Sequence, residues 1–116
     1  MRNPAKGLRT TTVLHHGEPV VRVSGEVDLR TSPQLREVLL RAARKKPERL
    51  VVDLSEVGYM DSSGVGTMVE IKRLVERGGG RLVLVALQPR VRSVFEVTQL
   101  DRFFDIANDI NDAMHS

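Results

Sequence analysis

The chain has 116 residues, 41% hydrophobic and 28% charged, with a formal net charge of +3. That size fits one compact domain with a real core and leaves little room for a second. Cysteine is absent, which excludes disulfides, thiolate catalysis and cysteine-ligated metal sites. No run approaches the roughly 18 apolar residues of a membrane span. The basic start, Met1 to Gly7, is not followed by the apolar stretch of a secretory signal. A cytoplasmic protein is expected, with residues 1–7 as a flexible tail and 8–116 as the domain.

Leu8 to Leu14 is rich in Thr and Val and predicts a strand. His15-His16-Gly17-Glu18-Pro19 predicts a turn, and Val20 to Ser24 a second strand, so the two form a hairpin. Gly25-Glu26-Val27-Asp28 leads towards a helix. Ser32 can cap it with Pro33 at the first helical position, or Thr31 can cap it with Gln34 completing a capping box. Leu35, Val38, Leu39, Ala42 and Ala43 recur at helical spacing up to Pro47. Leu50 to Leu54 predicts a short buried strand.

A second helix follows, with Val65, Met68, Ile71 and Val75 as its apolar stripe. Gly78-Gly79-Gly80 supplies the left-handed residue of a helix end. Leu82 to Leu87 predicts a central strand. Pro89 opens a third helix through Val91, Val94, Phe95 and Val97. A short edge strand within Leu100 to Ile106 and a last short helix from Asp109 to Met114 complete the chain. Alternating strands and helices after a hairpin predict an α/β fold, a small mixed sheet with helical crossovers.

Enzyme signatures are largely missing. Of the three histidines, His15 and His16 are neighbours in a turn and His115 is beside the C-terminus, so none has the spacing of a zinc helix. No cofactor or metal site is expected. Arg41, Arg44, Lys45, Lys46 and Arg49 cluster with only Glu48 among them. They read either as a solvated helix end, where cations favour the terminal carbonyls, or as a polyanion patch. Aromatic residues are not interleaved with them, which argues against base stacking.

The stretch Met60-Asp61-Ser62-Ser63-Gly64-Val65-Gly66 carries the most information. It places two hydroxyls and a carboxylate where the second helix begins. It is not a nucleophile elbow, because glycines do not flank either serine at the required spacing. Gly64-Val65-Gly66 is only half of a dinucleotide fingerprint, with Val69 at the third glycine position. The plain structural role is a cap from Asp61 or a serine, with glycines allowing close helix–sheet approach. A helix start also tolerates negative charge, so a phosphate added there need not disrupt the fold. If Asp61 is the cap, the Ser62 hydroxyl is free; if Ser62 is the cap, phosphotransfer must first break that bond.

Asp61 to Gly66, preceded by Val51 to Val57, resembles the anti-sigma factor antagonist family, the STAS domain. Val23 to Asp28, Gly79 to Leu82 and Val94 to Leu100 match the same pattern in order, so the resemblance spans roughly residues 8 to 112. It implies a single STAS-like α/β domain, its small mixed sheet covered mainly on one face by helices. It implies a non-enzymatic module whose unphosphorylated form binds an anti-sigma factor that is also a GHKL-type serine kinase, freeing the sigma factor for transcription. Ser62 is then the phosphorylated residue, and a PP2C-like phosphatase using Mn²⁺ or Mg²⁺ restores it. Asp28, in the loop matching Gly-Glu-x-Asp, joins Val57, Tyr59, Met60, Asp61, Ser63, Gly64 and Val65 as expected partner-binding residues. Val57, Tyr59, Met60 and Val65 are expected to supply the apolar contact area. No nucleic acid and no membrane insertion are expected, and the state is a monomer or weak dimer. The alternative is a STAS-domain accessory subunit of a membrane transporter.

Overall fold

The computed structural model describes residues 7–115. Apart from Gly7, the tail expected over residues 1–7 lies outside them, as does Ser116. The elements in order are β1 (Leu8–His15), β2 (Glu18–Val27), α1 (Ser32–Arg44), β3 (Arg49–Met60) and α2 (Ser62–Arg77). After these come β4 (Arg81–Val85), α3 (Pro89–Val97), β5 (Asp105–Ala107) and α4 (Ile110–Met114). The sheet order is β1-β2-β3-β4-β5. β1 runs antiparallel to β2 and every later pairing is parallel. This is the single mixed α/β domain that the sequence predicts.

The first two strands meet in a two-residue turn. His16 and Gly17 both have positive φ, at 52° and 81°, which is the type I′ geometry that follows strand twist. The main core lies between the sheet and α1, α2 and α3. Val21, Val23, Val52, Leu54, Leu82 and Leu84 face Leu35, Leu39, Met68, Ile71 and Phe95, all nearly solvent-free. On the opposite face Val20, Val51, Val83 and Val85 are covered by Ala113 of α4. Cover on both faces explains why β3 and β4 open as continuous apolar runs.

β3 is more than twice as long as the apolar run predicts. Its second half, Ser55 to Met60, pairs with β2 through register shifts between Arg22 and Ser24 and between Gly25 and Glu26. Polar residues hide this half in the sequence. Asp53 is buried, accepts a hydrogen bond from the Ser55 N–H at 2.9 Å and faces Arg22 at 3.6 Å. The extra residues at the shifts break the alternation that marks a strand.

The start of α1 also departs from expectation. Thr31 holds the N-cap position but makes no side-chain bond to the helix. Its hydroxyl donates instead to the Glu26 carbonyl at 2.7 Å and accepts from the Asp28 N–H at 2.9 Å. Gln34 does not close a capping box; its amide donates to the Leu8 carbonyl at 3.2 Å. Both side chains therefore tie the helix to the strands before it.

The two glycines at the start of α2 have different roles. A Cβ on Gly64 would lie 2.6 Å from Met60 Cγ and 2.7 Å from Val27 Cγ1, whereas one on Gly66 would meet nothing within 4 Å. Close approach to the sheet therefore requires Gly64 alone. Gly64→Ala is expected to destabilise the fold by about 1–3 kcal/mol. Gly66→Ala is expected to stabilise it by about 0.5–1 kcal/mol, since glycine is a poor helix former. Urea melts of the two variants beside the wild type check both signs.

Candidate functional site

α2 begins directly at the end of β3. Asp61 has extended backbone angles, φ −104° and ψ −172°, and occupies the N-cap position. Its carboxylate Oδ1 accepts from the Ser63 N–H at 2.9 Å and from the Ser63 hydroxyl at 2.5 Å. The Asp61 carbonyl accepts from the Gly64 and Val65 N–H groups at 3.1 and 3.3 Å. Asp61 is thus the cap, through both its side chain and its backbone.

Ser62 is the first helical residue and is exposed. Its hydroxyl has no hydrogen-bond partner among the described residues. Ser63 is committed, with its hydroxyl on Asp61 and its carbonyl accepting from Thr67 Oγ1 at 3.0 Å. The two adjacent hydroxyls are therefore unequal, and only the first is available. The first turn also has fewer open donors than the sequence suggests. Ser63, Gly64 and Val65 N–H groups are all taken, so a group on Ser62 would project into solvent beside the helix end.

The Asp28 loop reaches the same place through the backbone. The Asp61 N–H donates to the Val27 carbonyl at 3.0 Å, which fastens the end of β2 to the helix start. Asp28 Oδ1 accepts from the Arg30 and Thr31 N–H groups at 2.9 and 3.1 Å, and Oδ2 lies 3.3 Å from the Arg30 guanidinium. Partial desolvation pushes the Asp28 carboxyl up. The two N–H bonds and the Arg30 charge outweigh it and hold the group below its usual range. The loop thus presents a fixed carboxylate at neutral pH.

The expected apolar contact area is largely corrected. Val57, Met60 and Val65 are 0%, 1% and 4% exposed. They point inward from β3 and α2 into the main core and offer no side-chain surface to a partner. Gly64 is buried as well. Of the apolar residues expected at the site, only Tyr59 is exposed, at 41%. Leu29, which no sequence motif singles out, is 78% exposed in the loop beside Asp28. An isolated leucine between two elements, outside any periodic stripe, was its available signal.

Other candidates do not converge. His15 and His16 touch edge to face in the hairpin, while His115 Nδ1 lies 2.8 Å from the Asn111 carbonyl in α4. Among the described residues no group of three or more potential ligands could hold a metal ion. Arg49 leaves the basic cluster, bonding to Glu18 at 2.9 Å and to the Met114 carbonyl at 3.2 Å. Among the described residues no helix is long and apolar enough to cross a membrane.

The family pattern of the STAS domain matches residues 10–113, which span nearly all of this mixed five-stranded sheet and its helices. The chain belongs to the STAS domain family. An anti-sigma-B factor antagonist from Bacillus subtilis is 37% identical over 87 residues, covering 75% of this chain and 79% of that one. The crystal structure of an anti-sigma factor antagonist from Mycobacterium paratuberculosis superposes with a TM-score of 0.87 at 30% identity, over 95% of this chain and 93% of that one. The anti-sigma factor antagonist SpoIIAA is similar in its unphosphorylated form, with a TM-score of 0.75 at 27% identity over 89% and 91% of the chains. Its phosphorylated form gives 0.69 at 25% identity over 92% and 97%.

Substituting the cap separates the two roles at this junction. Asp61→Ala is expected to cost about 1 kcal/mol through loss of the cap, whereas Ser62→Ala is expected to stay within about 0.5 kcal/mol. Equilibrium unfolding of the two variants measures the difference.

Proposed function

We propose that the protein is an anti-sigma factor antagonist switched by phosphorylation of Ser62. In this reading the unphosphorylated form binds an anti-sigma factor that is also a GHKL-type serine kinase, and the sigma factor is released for transcription. The kinase ends the interaction by modifying Ser62, and a PP2C-like phosphatase using Mn²⁺ or Mg²⁺ restores it. The chain acts as a regulatory binding module in the cytoplasm and performs no catalysis of its own.

The observation that carries this reading is the exposed Ser62 hydroxyl, unbonded among the described residues, beside a carboxylate committed to capping. A kinase reaches that hydroxyl without breaking a bond of the fold. Phosphate adds about −1.5 to −2 charges at neutral pH. The helix dipole offsets part of its repulsion with Asp61. A partner surface that must desolvate Ser62 would instead meet a hydrated dianion, and burying an unpaired charge is costly. The switch therefore acts on the interface rather than on the fold. Leu29 and Tyr59 supply the apolar contact, Asp28, Asp61 and Ser63 its polar part. Val57, Met60, Gly64 and Val65 support it from beneath.

Pull-down from the native cytoplasm with wild type, Ser62→Ala and Ser62→Glu tests the proposal. Recovery of a GHKL-type kinase by wild type and Ser62→Ala, but not by Ser62→Glu, is the expected result. Equal recovery by all three removes the switch.

A further inference from the structure

The structure joins two features that are far apart in the sequence. β1 pairs only with β2, so its outer edge has no strand partner among the described residues. Eight residues form this edge, a length of roughly 27 Å, and it contains no Pro, Lys or register shift. Such an edge turns unpaired N–H and C=O groups outward and is normally protected.

α1 packs over β1 and β2, and one flank of it borders β1. Val38, Arg41, Ala42 and Lys45, spaced as one stripe of the helix, line a groove of about 180 Å³ with Thr12 of β1. Gln34 continues the stripe and donates to the Leu8 carbonyl at the other end. Leu14 shares the face of Leu8 by the two-residue period of the strand and is 73% exposed. The groove thus has a small, partly apolar floor, an open backbone edge on one side and two cations on the other. Arg41 and Lys45 make no ion pair with the described residues. Glu37, the one acidic residue of α1, is not among the lining residues.

We propose that this groove is a second interaction surface, which takes an extended acidic segment of a partner protein as a sixth strand beside β1. Backbone hydrogen bonds to the edge give affinity, and alternate carboxylates directed at Arg41 and Lys45 give specificity and polarity. The charges also decide against other occupants. A second copy pairing through the same edge would set Arg41 and Lys45 of each chain against their equivalents, and like charges opposed across an interface are costly. A nucleic acid would use the cations but leave the strand edge unsatisfied, and no aromatic platform adjoins them. None of the lining residues belongs to the Asp61–Gly66 junction, so binding there leaves Ser62 open.

The test is an NMR titration of the full chain at neutral pH. The probes are an acetylated, amidated decapeptide of alternating Glu and Val and its Lys/Val counterpart. The Glu/Val peptide is expected to protect β1 amides from exchange and to shift the Gln34–Lys45 stripe, with affinity falling as salt rises. Arg41→Glu/Lys45→Glu, which changes only exposed positions, is expected to weaken it by about tenfold or more, and Ser62→Glu is expected to leave it unchanged. Equal binding of both peptides, or stripe shifts without β1 protection, overturns the proposal. So does protection of β1 by self-association alone. Binding of phosphatidylserine vesicles or duplex DNA to the stripe, with no protection by the Glu/Val peptide, assigns the cations to a polyanion and overturns it as well.

Discussion

One carboxylate organises the region on which the proposed function rests. Asp61 ends β3, caps α2 and, through its N–H, holds the last residue of β2. A serine in the cap position could perform the first task, but its hydroxyl would then be bonded into the helix start. Because Asp61 takes the Ser63 N–H and the Ser63 hydroxyl together, it satisfies the helix start and removes one of the two hydroxyls from availability. What is left is a single exposed serine, set by the geometry of its neighbours rather than by its own bonds. Gly64 completes the arrangement, since any larger residue would push the first turn away from Met60 and Val27.

That division of labour bears on how a covalent switch can coexist with a small domain. A domain of this size has limited stability, so a modification that broke a cap or intruded on the core would threaten folding itself. Here Ser62, the position proposed for modification, faces solvent while the residues beneath it, Val57, Met60 and Val65, are closed off. The energetic effect of a phosphate therefore falls on whatever must approach that surface. The fixed Asp28 carboxylate adds further negative charge nearby, held in its ionised form by the N–H groups and guanidinium of its own loop. Differential affinity between two forms of one surface is all that a partner switch requires.

Much of the fold could be read from the sequence. The helices were legible because each buries one stripe, and β4 because it is buried on both faces. The second half of β3 was not, since its two register shifts destroy the alternation and its polar residues face the other side of the sheet. Thr31 takes the N-cap position, one of the two that the sequence offers, but the capping box does not form because the Thr31 and Gln34 side chains bond to backbone groups outside the helix. At the site, sequence order placed Asp61 and Ser62 at the start of α2 and Asp28 in the loop before α1, but it could not show which apolar neighbours turn outward. Val57 and Met60 look like surface candidates only while β3 is thought to end at Leu54, whereas Val65 belongs to the buried stripe of α2. The basic cluster likewise divides in space, with Arg49 turned to Glu18 and α4 while Arg41 and Lys45 flank the β1 edge.

Asp61, not Ser62, holds the helix start, so that a phosphate on Ser62 would leave the cap in place. The most direct measurement is NMR of protein carrying phosphoserine at position 62, following the Ser63 amide and the Asp61 carboxylate beside the unmodified chain. The Ser63 N–H is expected to stay bonded to Asp61 and keep its exchange protection, with chemical-shift changes confined to the first turn of α2 and the Asp28 loop. Transfer of that N–H from Asp61 to the phosphate, with loss of protection spreading along α2, would contradict it.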